Sequence, residues 1–221
     1  RLAARLTTAL VALFWLGVAT AGALVPGYAH RADYISALAS RGSPVAPLGM
    51  AVIGTLALAH VAAAMTVRRA WRTRYAAMLL ALAGLCGLLI AAFRIHCPEG
   101  PHGCGFEAAP PLPDLADVVH GYSVRGYQTF FVLAIVALTV GLARDARRPR
   151  WLGVVGIAVA VVSTACLLRT GGVDSGLWQR LWLVCNTGWL VVLVAVAAGP
   201  TNRVDEASGA VLLDLAPDRG S

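Results

Sequence analysis

Histidine, cysteine, carboxylate and arginine crowd together between Arg94 and His120. The stretch reads Arg94-Ile-His96-Cys97-Pro-Glu99-Gly-Pro-His102-Gly-Cys104-Gly-Phe-Glu, then a proline-rich step, then Asp114-Leu-Ala-Asp117-Val-Val-His120. Three kinds of chemistry suit these residue types. Cys97 and Cys104, separated by six residues that include proline and glycine, can close a disulfide, which an oxidising exterior permits. The same thiols with His96, His102 and His120 are zinc-type ligands, but the spacing follows none of the common zinc frameworks, so no metal is expected. Asp117 and His120, three apart, share a face once a helix begins there. An aspartate so placed can orient an imidazole that acts as a general base. Asp117 has a second reading. Asp114 follows Pro113 as an N-cap, and an acid three residues later completes a capping box. For His120 the plainer reading is a hydrogen-bonded histidine at the membrane interface.

The elements that must hold this stretch are apolar. The chain's 221 residues are 58% hydrophobic and 13% charged, with mean hydropathy +0.73, where a soluble domain carries about a quarter charged residues. Apolar runs at 6–25, 47–67, 75–95, 121–143, 151–168 and 177–198 are each long enough to cross a hydrocarbon core of roughly 30 Å. They predict an all-α polytopic membrane protein, a six-transmembrane-helix bundle forming one domain over 1–200. The polar tail at 201–221 offers too little apolar surface to order itself and is expected to be disordered. The first run follows Arg1 and Arg5 and contains Ala19-Thr-Ala21, features shared with signal peptides. Its length and the Pro26-Gly27 stop point instead to an uncleaved helix.

Arginine placement predicts orientation. All 18 basic residues are arginine, which with the Ala/Val/Gly richness suggests a GC-rich bacterial genome. Arg1, Arg5 and the clusters at 68–74 and 144–150 fall on one side when six helices alternate, and short basic loops stay cytoplasmic. The expected location is therefore the cell membrane, with both termini cytoplasmic and the 94–120 stretch outside. The +7 charge is spent on that boundary, so the lipid bilayer rather than nucleic acid is the expected partner.

Arg94, Arg125, Arg169 and Arg180 lie at the opposite, outer ends of the runs, where an arginine is costly unless paired or snorkelling. Snorkelling accounts for Arg125 and Arg169. Arg94 and Arg180 are candidate ligand residues, since a guanidinium fork suits the phosphate of an anionic lipid headgroup. Asp33, Glu99, Asp117 and Asp174 are their candidate internal partners. Asp33 shares the first outer loop with Ser36, a candidate nucleophile if that loop folds over the site. Inside the membrane, Asn186 is expected to hydrogen-bond to a neighbouring helix and His60 to pack structurally. His60 has no opposed histidine at its depth, so no haem or other cofactor is expected. Broken helices and mid-membrane charges would mark a transporter, and the sequence offers little of either. Cys86, Cys166 and Cys185 read as small apolar residues within helices.

At these positions the chain resembles an uncharacterised family of bacterial and archaeal membrane proteins, known as domain of unknown function 998. The resemblance runs from the first helix to the sixth. It is carried by Asp33-Tyr-Ile-Ser36-Ala-Leu38, by Phe93-Arg94 before a Cys/Pro-containing loop, by Asp117-Val-Val-His120 and by Gly176-Leu-Trp-Gln-Arg180. The first segment is also distantly similar to one in eukaryotic autophagy-modulator membrane proteins. The chain departs from the family pattern at Ala37 and Ala39, where an acid and a glycine are frequent. The resemblance implies a six-helix bundle and no established activity.

Two functions follow as expectations. One is a membrane protein that binds an anionic lipid headgroup or a partner at a polar extracytoplasmic site through Asp33, Arg94 and Arg180. The other is a membrane-embedded hydrolase or transferase acting on a lipid or isoprenoid phosphate, with His120 as general base, Asp117 orienting it, Arg94 or Arg180 holding the phosphate, and Ser36 as nucleophile if the first loop folds over the site. The disulfide expectation is directly testable. Denatured protein alkylated without reduction should gain three alkyl groups by intact mass, and five after reduction; five without reduction would show Cys97 and Cys104 to be free thiols.

Overall fold

The computed structural model describes residues 1–71, 73–96, 114–144 and 149–199. Cys97, Glu99, His102, Cys104 and the tail at 201–221 lie outside the described residues. Six helices are long and apolar enough to cross a membrane: α1 (Leu2–Leu24), α2 (Ala46–Trp71), α3 (Arg74–Ala92), α4 (Leu115–Ala143), α5 (Arg150–Leu168) and α6 (Ser175–Ala197). No strand occurs among the described residues. Each helix packs on the next in sequence, α6 returns to α1, and α2 also meets α6. The result is a closed ring of antiparallel neighbours, as short connections demand. Large aliphatic side chains such as Leu13, Leu16, Val154 and Val161 stay exposed on its outside, where a bilayer would cover them.

Two of the helix ends that differ from the sequence expectation bear on the site. The fourth helix begins at Leu115 rather than at 121, because Asp114 and Asp117 form a complete capping box. At 29 residues it is about 43 Å long at 1.5 Å per residue, so it extends past the hydrocarbon. The third helix stops at Ala92, and Phe93 turns extended. That leaves Arg94, Ile95 and His96 outside the helix, free to meet the first loop.

The interior combines apolar packing with one hydrogen-bonded network. Phe14, Leu80, Phe131, Ile135, Leu138 and Leu190 are fully buried. Gln128 on α4 is the hub of the polar part. Its Oε1 accepts from Trp182 Nε1 at 2.7 Å and Asn186 Nδ2 at 3.1 Å on α6, and its Nε2 donates to Ser163 and Thr164 on α5. One helical position away, His60 on α2 donates from Nδ1 to the Leu56 carbonyl and accepts the Tyr127 hydroxyl at Nε2, 3.0 Å away. In hydrocarbon a polar side chain has no water to turn to, so such bonds fix which helices are neighbours.

Across one end of the ring lies the first loop, which folds inward as a 3-10 helix over Ile35–Ala39, here termed the plug. Ile35, Ser36, Leu38 and Ala39 are all buried. Close approach is possible because two glycines lie under it. A β-carbon at Gly49 of α2 would stand 2.5 Å from the Leu38 carbonyl, and one at Gly176 would collide with the carbonyls of Asp33 and His30. Gly49→Leu should therefore lift the plug, at a cost of about 1–3 kcal/mol for overpacking. The expected readouts are a lower melting midpoint in detergent and faster hydrogen exchange at 33–40. Unchanged protection there would mean that the plug does not depend on this contact.

Candidate functional site

The plug is tied down at both ends, chiefly by arginines that donate to backbone carbonyls. At its N-terminal side, Arg180 sends Nη1 to the carbonyls of Asp33 and Gly176, both at 2.9 Å, and Nη2 to Tyr28 Oη at 2.6 Å and His30 Nδ1 at 3.2 Å. Asp33 turns its carboxylate away from this fork to accept the Ala29 N–H at 2.7 Å. The first turn of α6 contributes as well, since Gly176 N and Leu177 N donate to Ala32 and Arg31 carbonyls. These are N–H groups that a helix start leaves without partners. Gln179 accepts the Ile35 N–H at Oε1, 2.5 Å away, and Arg31 pairs with Asp174 at the exposed rim. Burial pushes the Tyr28 hydroxyl up, partly offset by Arg180. Burial and then the same guanidinium push His30 down.

At the plug's C-terminal side, Arg94 donates from Nε to Ala39 O at 3.0 Å and from Nη2 to Ser40 O at 2.9 Å. Beside it, Arg41 Nη1 bridges Asp114 Oδ2 at 2.5 Å and His96 Nε2 at 3.1 Å. Asp117 accepts both the backbone N–H and Nδ1–H of His96, each at 2.8 Å, while reaching back to the Asp114 N–H. The Asp–His pair in the structure is thus Asp117 with His96. His120 instead donates from Nδ1 to the Phe93 carbonyl at 2.9 Å. Donor atoms of His96, Asp114 and Asp117 gather within 4.8 Å, close enough to hold a cation, but Arg41 already donates to two of these residues.

Beneath the plug lies a cavity of about 50 Å³. Phe14, Leu56, Ile90 and Val124 supply apolar wall, and Tyr127 and Trp182 also line it. Ser36, His120 and Gln179 face the same space. Ser36 Oγ and Gln179 Nε2 make no hydrogen bond among the described residues, while the His120 ring meets the Phe93 carbonyl and also that of Ile90. Because His120 Nδ1 carries the proton donated to Phe93, Nε2 is the lone-pair nitrogen of the neutral ring.

The expected site residues therefore divide. Ser36 and His120 meet at the cavity. Asp33, Arg94 and Arg180 hold the plug, and Asp117 belongs to the capping box beside Arg41. Sequence reasoning passed over Arg41 and Gln179, although both stand within or beside segments it singled out. A glutamine in the second turn of an apolar helix was the available signal.

The family model described as "Protein of unknown function (DUF998)" matches residues 8–196, so the chain belongs to that family. No curated protein and no solved structure matches it.

Asp114 supplies a pH test of the anchor. The Asp117 N–H holds its carboxyl at about 2, with Arg41 adding to the effect. A carboxylate depressed in the folded state contributes stability above its unfolded value of roughly 3.9, lost as pH falls through the folded value. Hydrogen-exchange protection at 39–41, corrected for intrinsic rate, should hold from neutral pH to about 4 and fall between about 4 and 2. Loss already between pH 7 and 5 would show that Asp114 does not govern this end.

Proposed function

We propose that this chain is a lipid-binding membrane protein that receives the polar part of a membrane amphiphile at the plug end of its bundle. The observation that carries this is the cavity under the plug, where Ser36, His120 and Gln179 stand together against aliphatic and aromatic walls. A few polar groups converging on a mostly apolar pocket are what orients a small ligand, so this lining supports one. The walls favour a molecule that is apolar beyond its head. A charged headgroup can also be met above the plug. Arg94 Nη1 and Arg180 Nε have no partner among the described residues, and neither arginine has a carboxylate within ion-pair distance there. The orientation of the basic clusters supports an extracytoplasmic position for this end in the cell membrane.

The alternative of a phosphate-directed hydrolase with an Asp/His base has weaker geometric support. The formed pair is Asp117–His96, whose Nε2 already accepts from Arg41. Among the described residues no guanidinium lines the cavity that Ser36 and His120 share.

Protein extracted in mild detergent should retain one lipid class enriched over the bulk membrane, identified by mass spectrometry. His120→Phe should reduce that retention about tenfold, the loss of about 1.4 kcal/mol expected of one hydrogen bond. Arg94→Ala should reduce it as well by freeing the plug. Equal retention in all three proteins would overturn the proposal.

A further inference from the structure

We infer that the cavity beneath the plug is an acyl-transfer site, in which Ser36 is the nucleophile towards a neutral carboxyl ester; this rests on the lipid-binding reading of the same cavity. A serine nucleophile needs a base with an available lone pair, a group that holds the base's tautomer, and a donor for the oxyanion. Each part is present among residues that face one small space. His120 donates from Nδ1 to the Phe93 carbonyl at 2.9 Å, which leaves Nε2 as the proton acceptor. Gln179 spends Oε1 on the Ile35 N–H, which anchors the amide and leaves Nε2–H₂ as the donor. Because Ile35 is the residue before Ser36, that bond also ties the nucleophile's own backbone to the oxyanion donor.

The charge of the lining selects the substrate class. Among the described residues, Ser36, His120, Gln179, Tyr127 and the Trp182 indole are its polar side chains, and neither a carboxylate nor a guanidinium joins them. A phosphoryl group carries charge that would need a cation beside it, whereas an ester carbonyl is neutral until attack. About 50 Å³ admits the reacting ester and little more, so the remainder of an acyl chain must lie outside the cavity. Low polarity and the covering plug keep competing water scarce, which strengthens every remaining dipole.

The steps balance without any further cofactor. Ser36 Oγ attacks the ester carbonyl carbon, forming the C–Oγ bond, as its proton passes to His120 Nε2. Gln179 Nε2–H donates to the oxygen that becomes negative. Collapse breaks the bond to the alcohol oxygen, which departs with the proton from His120. Water, or a second alcohol, then attacks the acyl-serine and loses its proton to His120. The proton returns to Ser36 Oγ, and a carboxylic acid or a new ester is released.

The test uses the full chain in lipid nanodiscs with a fluorophosphonate probe and intact-mass readout. Wild type should gain one label, mapped to Ser36, and Ser36→Ala should gain none. His120→Gln should label at least about 100-fold more slowly, the usual contribution of a general base, and should lose the pH dependence seen in wild type. Elution volume and melting midpoint of Ser36→Ala matching wild type would confirm that its fold is kept. No label on wild type, a label that persists in Ser36→Ala, or a His120→Gln rate equal to wild type would each overturn the acyl-transfer site. Lipid retention in wild type separates the two readings: a bound lipid class without labelling leaves binding intact and removes catalysis, whereas absence of any retained lipid removes the binding reading itself.

Discussion

A backbone carbonyl that leaves a helix near hydrocarbon must find a donor, and this constraint organises the plug end of the molecule. The loop after α1 turns inward, so the carbonyls of Asp33, Ala39 and Ser40 point away from bulk water. Two guanidinium groups meet them, Arg180 at one end and Arg94 at the other. Each arginine thereby offsets part of its own placement cost, since the partial negative charge of several carbonyls stands in for a carboxylate. Secured at both ends, a five-residue 3-10 helix can remain buried although its length gives it little intrinsic stability.

The same constraint explains what could be read from the sequence and what could not. Apolar runs reveal six helices because length alone decides whether a segment crosses a bilayer. The plug-end arginines announce themselves too, by standing at the helix ends opposite the basic clusters. Their partners do not, since a carbonyl belongs to every residue and leaves no mark in composition. A search for carboxylates therefore points to Asp33 and Asp117, whereas the atom Arg180 uses at Asp33 is the main-chain oxygen. The Asp117–His120 spacing misleads for a different reason. Residues three apart share a helix face, but a side chain at the third helical position leans towards the N-terminus and closes the capping box. From there its carboxylate reaches His96, 21 residues earlier in the chain, on a segment that has left α3. His120, one turn deeper, turns instead to the Phe93 carbonyl.

The buried network in the middle of the bundle matters to the cavity although it lies below it. Tyr127 and Trp182 line the cavity floor, and both are held from behind: Tyr127 by His60, Trp182 by Gln128. Their rings meet edge to face at 5.7 Å, so neither can swing into the space without breaking a hydrogen bond in hydrocarbon. His60 and Asn186 are legible as structural residues because polar side chains in apolar runs rarely go unbonded. Gln128 is harder to see, since its importance comes from accepting two α6 donors and supplying two α5 acceptors at once. Among the described residues the network still leaves Asn186 Oδ1 and Trp189 Nε1 buried without partners, so its satisfaction is concentrated at the end nearest the cavity.

That concentration bears on why the cavity itself is polar. The chain satisfies Thr7, Thr66 and Thr187 by bonds to the preceding helical turn, and it satisfies Gln128 with four partners. Buried polar side chains in the bundle are thus mostly met, Thr73 Oγ1, Asn186 Oδ1 and Trp189 Nε1 being exceptions among the described residues. Alanine at 36 would break no hydrogen bond of the described residues, whereas phenylalanine at 120 would leave the Phe93 carbonyl without its donor. The plug is not the reason to keep Ser36, because its anchors use the main chain at Asp33, Ile35, Ala39 and Ser40 and bypass the Ser36 hydroxyl. The proposed occupant must offer an acceptor to Ser36 and Gln179 and a proton to His120, with no charge of its own to bury. An ester reacting with a hydroxyl meets each of those terms in turn, since its carbonyl accepts and the attacking hydroxyl yields the proton.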